Sequence, residues 1–216
     1  MGKEYSDSTM GSLSNTEIDK IKAQMNEKEV RMPSMYMAGG NNTEEWKNIF
    51  EMAKLFGLEF ITCEPLKVHL SAIDSLAGIY DIRVAIHNHW KGISSYWHPD
   101  SVLAVINDYP HFGAMADVGH WVRSGLDPVK CLEMLDGHIL GIHLKDVDEP
   151  GNPKASDVQV GTGIINFNSV AAELKRQNYS GYIYVECEHD FGNNLPEIMQ
   201  TINYIDTISG SRAIAD

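Results

Sequence analysis

Four short stretches of this chain each end an apolar run in side chains able to hold a metal ion. Val84-Ala85-Ile86 runs into His87-Asn88-His89, and Gly113-Ala114-Met115-Ala116 into Asp117-Val118-Gly119-His120. Ile139-Leu140-Gly141-Ile142 leads to His143-Leu144-Lys145-Asp146, and Ile183-Tyr184-Val185 to Glu186-Cys187-Glu188-His189. A helical stretch separates each from the next. Ligand sites of parallel α/β folds collect at the carboxyl ends of strands, so imidazoles and carboxylates delivered there in series point to one site. Side chains alternate along a strand, so His87 and His89, His143 and Lys145, and Glu186 and Glu188 each point the same way. Glu64 closes a further apolar run, Leu58 to Cys63.

A mixed nitrogen and oxygen donor set suits Mn²⁺, Zn²⁺, Co²⁺ or Fe²⁺ better than Ca²⁺, which prefers oxygen alone. Taken singly, each histidine reads better as a hydrogen-bonded structural residue than as a ligand, and Asp117 has the alternative of a helix or turn cap. Glu186 reads poorly that way, because an unpaired carboxylate ending an apolar strand is costly. Trp90 and Trp121 follow His89 and His120, and Trp97 lies beside Tyr96 in the loop after the His89 strand. Flat aromatic faces near polar groups suit a sugar ring; anchoring of loops is the alternative. Arg123 could clamp an anionic or hydroxyl-rich substrate or make a surface ion pair. Gly161-Thr162-Gly163 follows no strand and opens no helix, so it reads as loop geometry.

The elements that must position these groups alternate regularly. Ser14-Asn15-Thr16-Glu17 is a capping box, followed by the helical face Ile18, Ile21 and Met25. A strand is predicted from Val30 to about Ala38, with Gly39-Gly40 as the turn. Asn42 caps a helix with Trp46, Ile49, Phe50 and Ala53 on one face, ended by Gly57. Strand Leu58 to Cys63, a helix near Val68 to Tyr80, strand Arg83 to His89 and a helix from Pro99 to about Asn107 come next. Strand Phe112 to Val118 precedes a helix opened by Asp127-Pro128. Strand Ile139 to Leu144, a long loop, a helix near Ser169 to Gln177, strand Tyr182 to Cys187 and helix Leu195 to Ile208 complete the pattern. Such alternation means a parallel sheet with right-handed crossovers. Six strands are counted, whereas a closed (β/α)8 barrel needs eight and about 250 residues. The expected fold class is therefore α/β, of the (β/α)8 TIM-barrel type lacking its first two strands. Residues 1–13 are expected to be a flexible lead and residues 14–216 a single domain.

Composition narrows the function. Seventeen basic and thirty acidic residues give a net charge of −13, a field that repels a phosphate backbone, and no basic cluster offsets it. No run reaches the roughly 18 apolar residues of a membrane span. The first residues lack the basic-then-apolar order of a signal peptide, so the cytoplasm is expected, with the periplasm open if a leading segment has been lost. Three cysteines without metal-ribbon spacing imply no disulfide framework; Cys63 and Cys187, inside predicted strands, read as small core residues.

From about Thr16 to Ile208 the chain resembles the xylose-isomerase-like TIM-barrel superfamily of sugar phosphate isomerases and epimerases. Members carry four metal ligands at the ends of strands five to eight, commonly Glu, Asp, His and Glu. The resemblance places Asp117 second, His143 third and Glu186 fourth, and puts His87 where a glutamate usually stands. It also gives His120 a substrate contact. The implied cofactor is one divalent ion, with Mn, Zn or Co foremost, held by His87, Asp117, His143 and Glu186. Ketose epimerases of this group use two metal-bound glutamates as opposed acid and base, and His87 departs from that pattern; Glu64 could supply the missing carboxylate.

The leading expectation is metal-assisted proton abstraction next to a sugar carbonyl through an enediolate. Glu186 or Glu64 would act as base, with Lys145 and His120 donating to the developing oxyanion. His89, Trp90, Trp121, Arg123 and Glu188 would meet the substrate. Isomerase or epimerase chemistry leads; a keto-sugar lyase or hydratase, an abasic-site phosphodiesterase and a non-catalytic sugar-binding protein are the rivals. The expected partner is a small carbohydrate, with neither nucleic acid nor membrane. Unpaired sheet edges point to a homo-oligomer.

Overall fold

Helix formation follows the local signals closely. A computed structural model describes residues 13–188 and 192–210; residues 1–12 of the expected lead, and His189, lie outside the described residues. Helix α1 (Asn15–Glu27) opens with the reciprocal Ser14–Glu17 capping box. Helix α2 (Thr43–Phe56) is capped by Asn42 and ends at Gly57, whose φ of 70° is the left-handed conformation glycine adopts at no steric cost. Strand β1 is Ser34–Tyr36 and β2 is Phe60–Cys63. A short 3₁₀ turn leads into α3 (Leu70–Tyr80), and β3 is Arg83–His87.

The second half holds α4 (Pro99–Asp108), β4 (Phe112–Asp117), α5 (Val118–Arg123) and α6 (Pro128–Met134). Strand β5 (Ile139–Leu144) is followed by the two-residue strands β6 (Asp146–Val147) and β7 (Asp157–Val158). Helix α7 (Phe167–Arg176), strand β8 (Tyr182–Val185) and helix α8 (Leu195–Ser209) follow. Among the described residues six strands form one sheet in the order β1-β2-β3-β4-β5-β8, while β6 and β7 pair antiparallel with each other. The architecture is α/β of the TIM-barrel type with six principal strands. None of the described helices is long and apolar enough to cross a membrane.

The chain divides into two compact units: Met1–Val84 with Tyr109–Phe112, and Ala85–Asp108 with Gly113–Asp216. In the first, β1 pairs parallel with β2, and Trp46, Phe50 and Ala53 of α2 are buried with Ile73 and Ala77 of α3. Within the second, β4, β5 and β8 run parallel, with Asp117 level with His143 and Leu144 with Val185. Buried Met115, Ile142 and Leu144 bring apolar side chains into its interior, and α7 packs against α8.

Four elements depart from expectation. The strand expected over 30–38 shrinks to three residues: Pro33 has no N–H to donate, and Val30 is 54% exposed. Strand β4 stops at Asp117, and Val118 instead begins α5. Strand β8 ends at Val185, which leaves Cys187 outside the ladder and only part-buried, while Cys63 is a core residue as expected. The stretch expected to be loop after β5 carries the β6–β7 pair.

Candidate metal centre

Asp117 is the pivot of the site, and the local sequence explains how one short side chain does two jobs. Its Oδ1 accepts from the His120 backbone N–H at 2.8 Å, capping α5. That bond turns the other oxygen, Oδ2, away from the helix. Oδ2 is buried and has no hydrogen-bond partner among the described residues. Around it stand His87 Nε2 at 3.9 Å, His143 Nδ1 at 3.9 Å and His120 Nε2 at 3.7 Å.

Strand geometry delivers the remaining donors. His87 ends β3, and its Nε2 lies 3.1 Å from Nδ1 of His143 on β5. Glu186 sits one residue beyond β8, where its backbone N–H still donates to Leu144 at 3.0 Å. Its Oε2 meets His143 Nδ1 directly and lies 4.0 Å from His87 Nε2. One donor atom from each of His87, Asp117, His143 and Glu186 falls within 4.8 Å of the others. The structure thus brings together the four residues that the family resemblance picked out.

These residues fit a divalent cation on physical grounds. Burial, and then His143, depress the His87 pKa to about 2, so its imidazole stays neutral with a lone pair to give. Burial and the neighbouring Glu186 push the Asp117 carboxyl well above the usual carboxylate range. A fully buried carboxylate oxygen that has no hydrogen-bond partner among the described residues, set among imidazole nitrogens, is poorly compensated for its desolvation. Two nitrogens and two oxygens at close range are what a borderline transition-metal ion binds.

Next to the four stands a charged network. Lys145, 0% exposed, places Nζ 3.1 Å from Glu186 Oε1, in direct contact with Glu188 Oε2 and 3.8 Å from Asp157. Burial works against its charge, but Asp117 and Glu186 outweigh it and hold the ammonium pKa above the ordinary lysine value. Asp157 also takes Arg123 Nη2 at 2.6 Å, and Arg123 donates to the Ala155 carbonyl and lies 5.3 Å over the Trp90 ring. Arg123 is therefore held in an ion pair, but a buried one and not the surface pair expected as the alternative to a substrate clamp.

Other expected site residues are placed as follows. His120 is fully buried, with ring centroids 5.8 Å from His87, 4.8 Å from His89 and 5.2 Å from Trp90. His89 and Trp90 are half-buried, and Glu188 is 47% exposed at its side chain. Trp121 corrects the expectation of a sugar-facing ring: at 1% exposure it offers no open face and belongs to the core. Glu64 stands directly after β2 in the first unit, and the four donors all lie in the second.

Three contributors escaped sequence reasoning. Asn88, 2% exposed, donates to the Asp117 carbonyl at 3.0 Å and accepts from the Asp117 N–H at 2.9 Å. The Asn between two histidines was the signal. Asp157 anchors both cations of the network from a stretch with no apolar pattern. Asp146 accepts from the backbone N–H groups of Val147, Gly161, Gly163 and Ile165 at 2.9, 3.0, 2.9 and 3.2 Å. It thereby gives the Gly161-Thr162-Gly163 stretch its loop geometry; a Cβ on Gly163 would lie 2.4 Å from the Val147 carbonyl.

Comparison with known proteins places this geometry in context. The xylose isomerase-like TIM barrel family matches over residues 6–208. An inosose dehydratase of Clostridium botulinum is 27% identical over 150 residues, covering 62% of this chain and 48% of the relative. The chain thus spans about half the length of the curated relatives it matches. A crystal structure of an uncharacterised protein from Parabacteroides distasonis is 32% identical, with a TM-score of 0.69, covering 91% of this chain and 78% of that one. The structure of the IolI protein, solved with a zinc atom bound, shares the fold at 15% identity and a TM-score of 0.74, covering 97% and 84%.

Proposed function

The chain belongs to the xylose isomerase-like TIM barrel family, and on that premise we propose that it is a divalent-metal-dependent enzyme of keto-sugars or keto-cyclitols. It removes a proton next to the carbonyl and expels the hydroxyl on the following carbon as water. One observation carries the reading: the four donors converge, but only one of them is a glutamate, His87 standing in the place of the other. Two opposed metal-held glutamates, the arrangement an epimerase uses, are thus absent from this set, and elimination needs no second base on the opposite face. The name inosose dehydratase on the curated relatives supports the same choice.

His87, Asp117, His143 and Glu186 would hold the ion, with zinc, manganese and cobalt as the candidates. When bound, it would polarise the carbonyl and offset the negative charge that builds on its oxygen. Both oxygens of Glu186 are engaged, one toward His143 and one toward Lys145. Glu188 is the carboxylate left half-open to solvent, and it takes the proton from carbon while Lys145 keeps it oriented. Glu188 thus fills the second-carboxylate role that the sequence suggested for Glu64. Glu188 then gives that proton to the departing hydroxyl as the carbon–oxygen bond breaks, so the base is regenerated and the products are water and an unsaturated ketone. His89 and Trp90 border the substrate, and His120 donates to it.

A homo-oligomer remains part of the proposal, with β1 and β8 ending the strand order among the described residues. Sedimentation as a clean monomer would end that part.

Stripping the protein with chelator, reloading it with zinc or manganese and incubating it with an inosose in deuterated water tests the activity. The expected result is metal-dependent exchange of the proton next to the carbonyl, with appearance of the unsaturated ketone. Exchange without dehydration would return the reading to an epimerase. Turnover undiminished after chelation would overturn the metal-dependent mechanism.

A further inference from the structure

A second group of potential ligands adjoins the first. One donor atom each from His120, Glu186 and Glu188 also falls within 4.8 Å of the others. His120 Nε2 is buried without a hydrogen-bond partner among the described residues, and His120 itself is 0% exposed. Sharing Glu186 with the first group, these residues have the makings of a two-metal site, in which a carboxylate bridges the ions. A cation of the protein's own already stands beside them. The Lys145 ammonium is 3.1 Å from Glu186 Oε1 and in direct contact with Glu188.

We propose that Lys145 serves as a built-in second cation, which limits the centre to one metal ion and fixes Glu186 as a one-oxygen ligand. Charge supports this. Asp117, Asp157, Glu186 and Glu188 bring four negative charges, and Lys145 and Arg123 return two positive ones. Asp146, the other buried carboxylate here, has its charge met by backbone N–H groups. One divalent ion completes neutrality, and a second would leave positive charge unpaired. Geometry supports it as well. Lys145 holds Oε1 of Glu186 while Oε2 faces His143 and His87, so the carboxylate cannot swing both oxygens onto one ion.

The lysine's path is built in too. Gly119, in the first turn of α5, lets the stem pass: a Cβ there would lie 2.6 Å from Lys145 Cγ and 2.9 Å from its Cβ. Lys145 is thus a positioning residue for Glu186, and the position of its head makes a second metal unnecessary.

The inference rests on the single-metal reading above, and metal stoichiometry separates the two. Metal-stripped protein is titrated with Zn²⁺ and washed, and bound zinc is counted by elemental analysis, with folding followed by circular dichroism. Wild type is expected to retain one zinc per chain at saturation. Lys145→Ala and Lys145→Gln should retain two, Lys145→Arg one, and Lys145→Ala with Glu188→Gln one again. Two zinc ions in wild type, or one in the folded Lys145→Ala and Lys145→Gln variants, would overturn the role of Lys145 while leaving the metal centre intact. No zinc in wild type would remove the metal reading itself and this inference with it.

Discussion

Asn88 grips the backbone of Asp117 with both halves of its amide, one donating and one accepting. It touches no donor atom, yet it sets where the Asp117 carboxylate begins. Replacing it with alanine leaves a buried carbonyl and N–H unpaired at the end of β4 and frees Asp117 to shift. Groups that orient a metal ligand typically contribute about 10- to 100-fold in affinity. Asn88→Ala should therefore weaken zinc binding by roughly that factor while the far-ultraviolet circular dichroism stays that of wild type. Unchanged affinity in a competition titration would show that the cap on α5 alone positions Asp117. At this scale the sequence was informative about ligands and silent about supports. His87, Asp117, His143 and Glu186 stand at the ends of apolar runs, a pattern visible without coordinates. Asn88 and Asp157 act through hydrogen bonds and charge, which leave no periodic trace. Trp121 was misread because a tryptophan beside a site histidine looks the same in sequence whether its ring faces solvent or core.

At the scale of elements, the junction of β4 and α5 matters most. A parallel strand passes straight into a six-residue helix, and the turn between them carries Asp117, His120 and the gap that admits Lys145. Gly119→Ala puts a methyl group 2.6 Å from the Lys145 stem and 2.9 Å from its carbonyl oxygen. Overpacking of this kind costs about 1–3 kcal/mol. The expected outcome is a loss of that size in urea unfolding, together with weaker zinc retention because Lys145 no longer reaches Glu186. A stability loss with normal zinc retention would separate Gly119 from the site. The β5–β6 junction makes a parallel case. Asp146→Ala deprives four backbone N–H groups of their acceptor. Each group left buried costs about 1–3 kcal/mol, so a net loss of at least 2 kcal/mol is expected even if water reaches some of them. Urea unfolding indistinguishable from wild type would mean the 159–165 loop holds itself. The longer helices were legible because caps and apolar spacing agree, as at Asn42 and Gly57. Helix α5 was not, since six residues are too few to show a period; its only sign was an Asp able to cap, which had been weighed against a ligand. It is both.

For the whole molecule, a metal resident in the fold must be told apart from cations drawn to an acidic surface. A net charge of −13 attracts cations everywhere, so binding alone proves little. Heat unfolding distinguishes the two. An ion that binds only the folded state stabilises it by RT ln(1 + [L]/Kd), about 2.7 kcal/mol at one hundred times Kd. In a chain of this size each kcal/mol raises the midpoint by about 2–4 °C, so saturating zinc should lift it by roughly 5–11 °C. Diffuse screening by an equal ionic strength of potassium chloride relieves self-repulsion as well, and it sets the baseline to subtract. The decisive comparison is His87→Ala. That variant keeps all thirty acidic residues and the same net charge with histidines neutral, but loses one of four donors. A surface effect would leave its zinc-induced rise intact; a built centre predicts that most of the rise disappears. Because the donors hang from the ends of β3, β4, β5 and β8, the ion would add one shared tie among four strands. Calorimetry of the two proteins with and without zinc decides between these outcomes, and an equal rise in both would reduce the centre to a coincidence of charged strand ends.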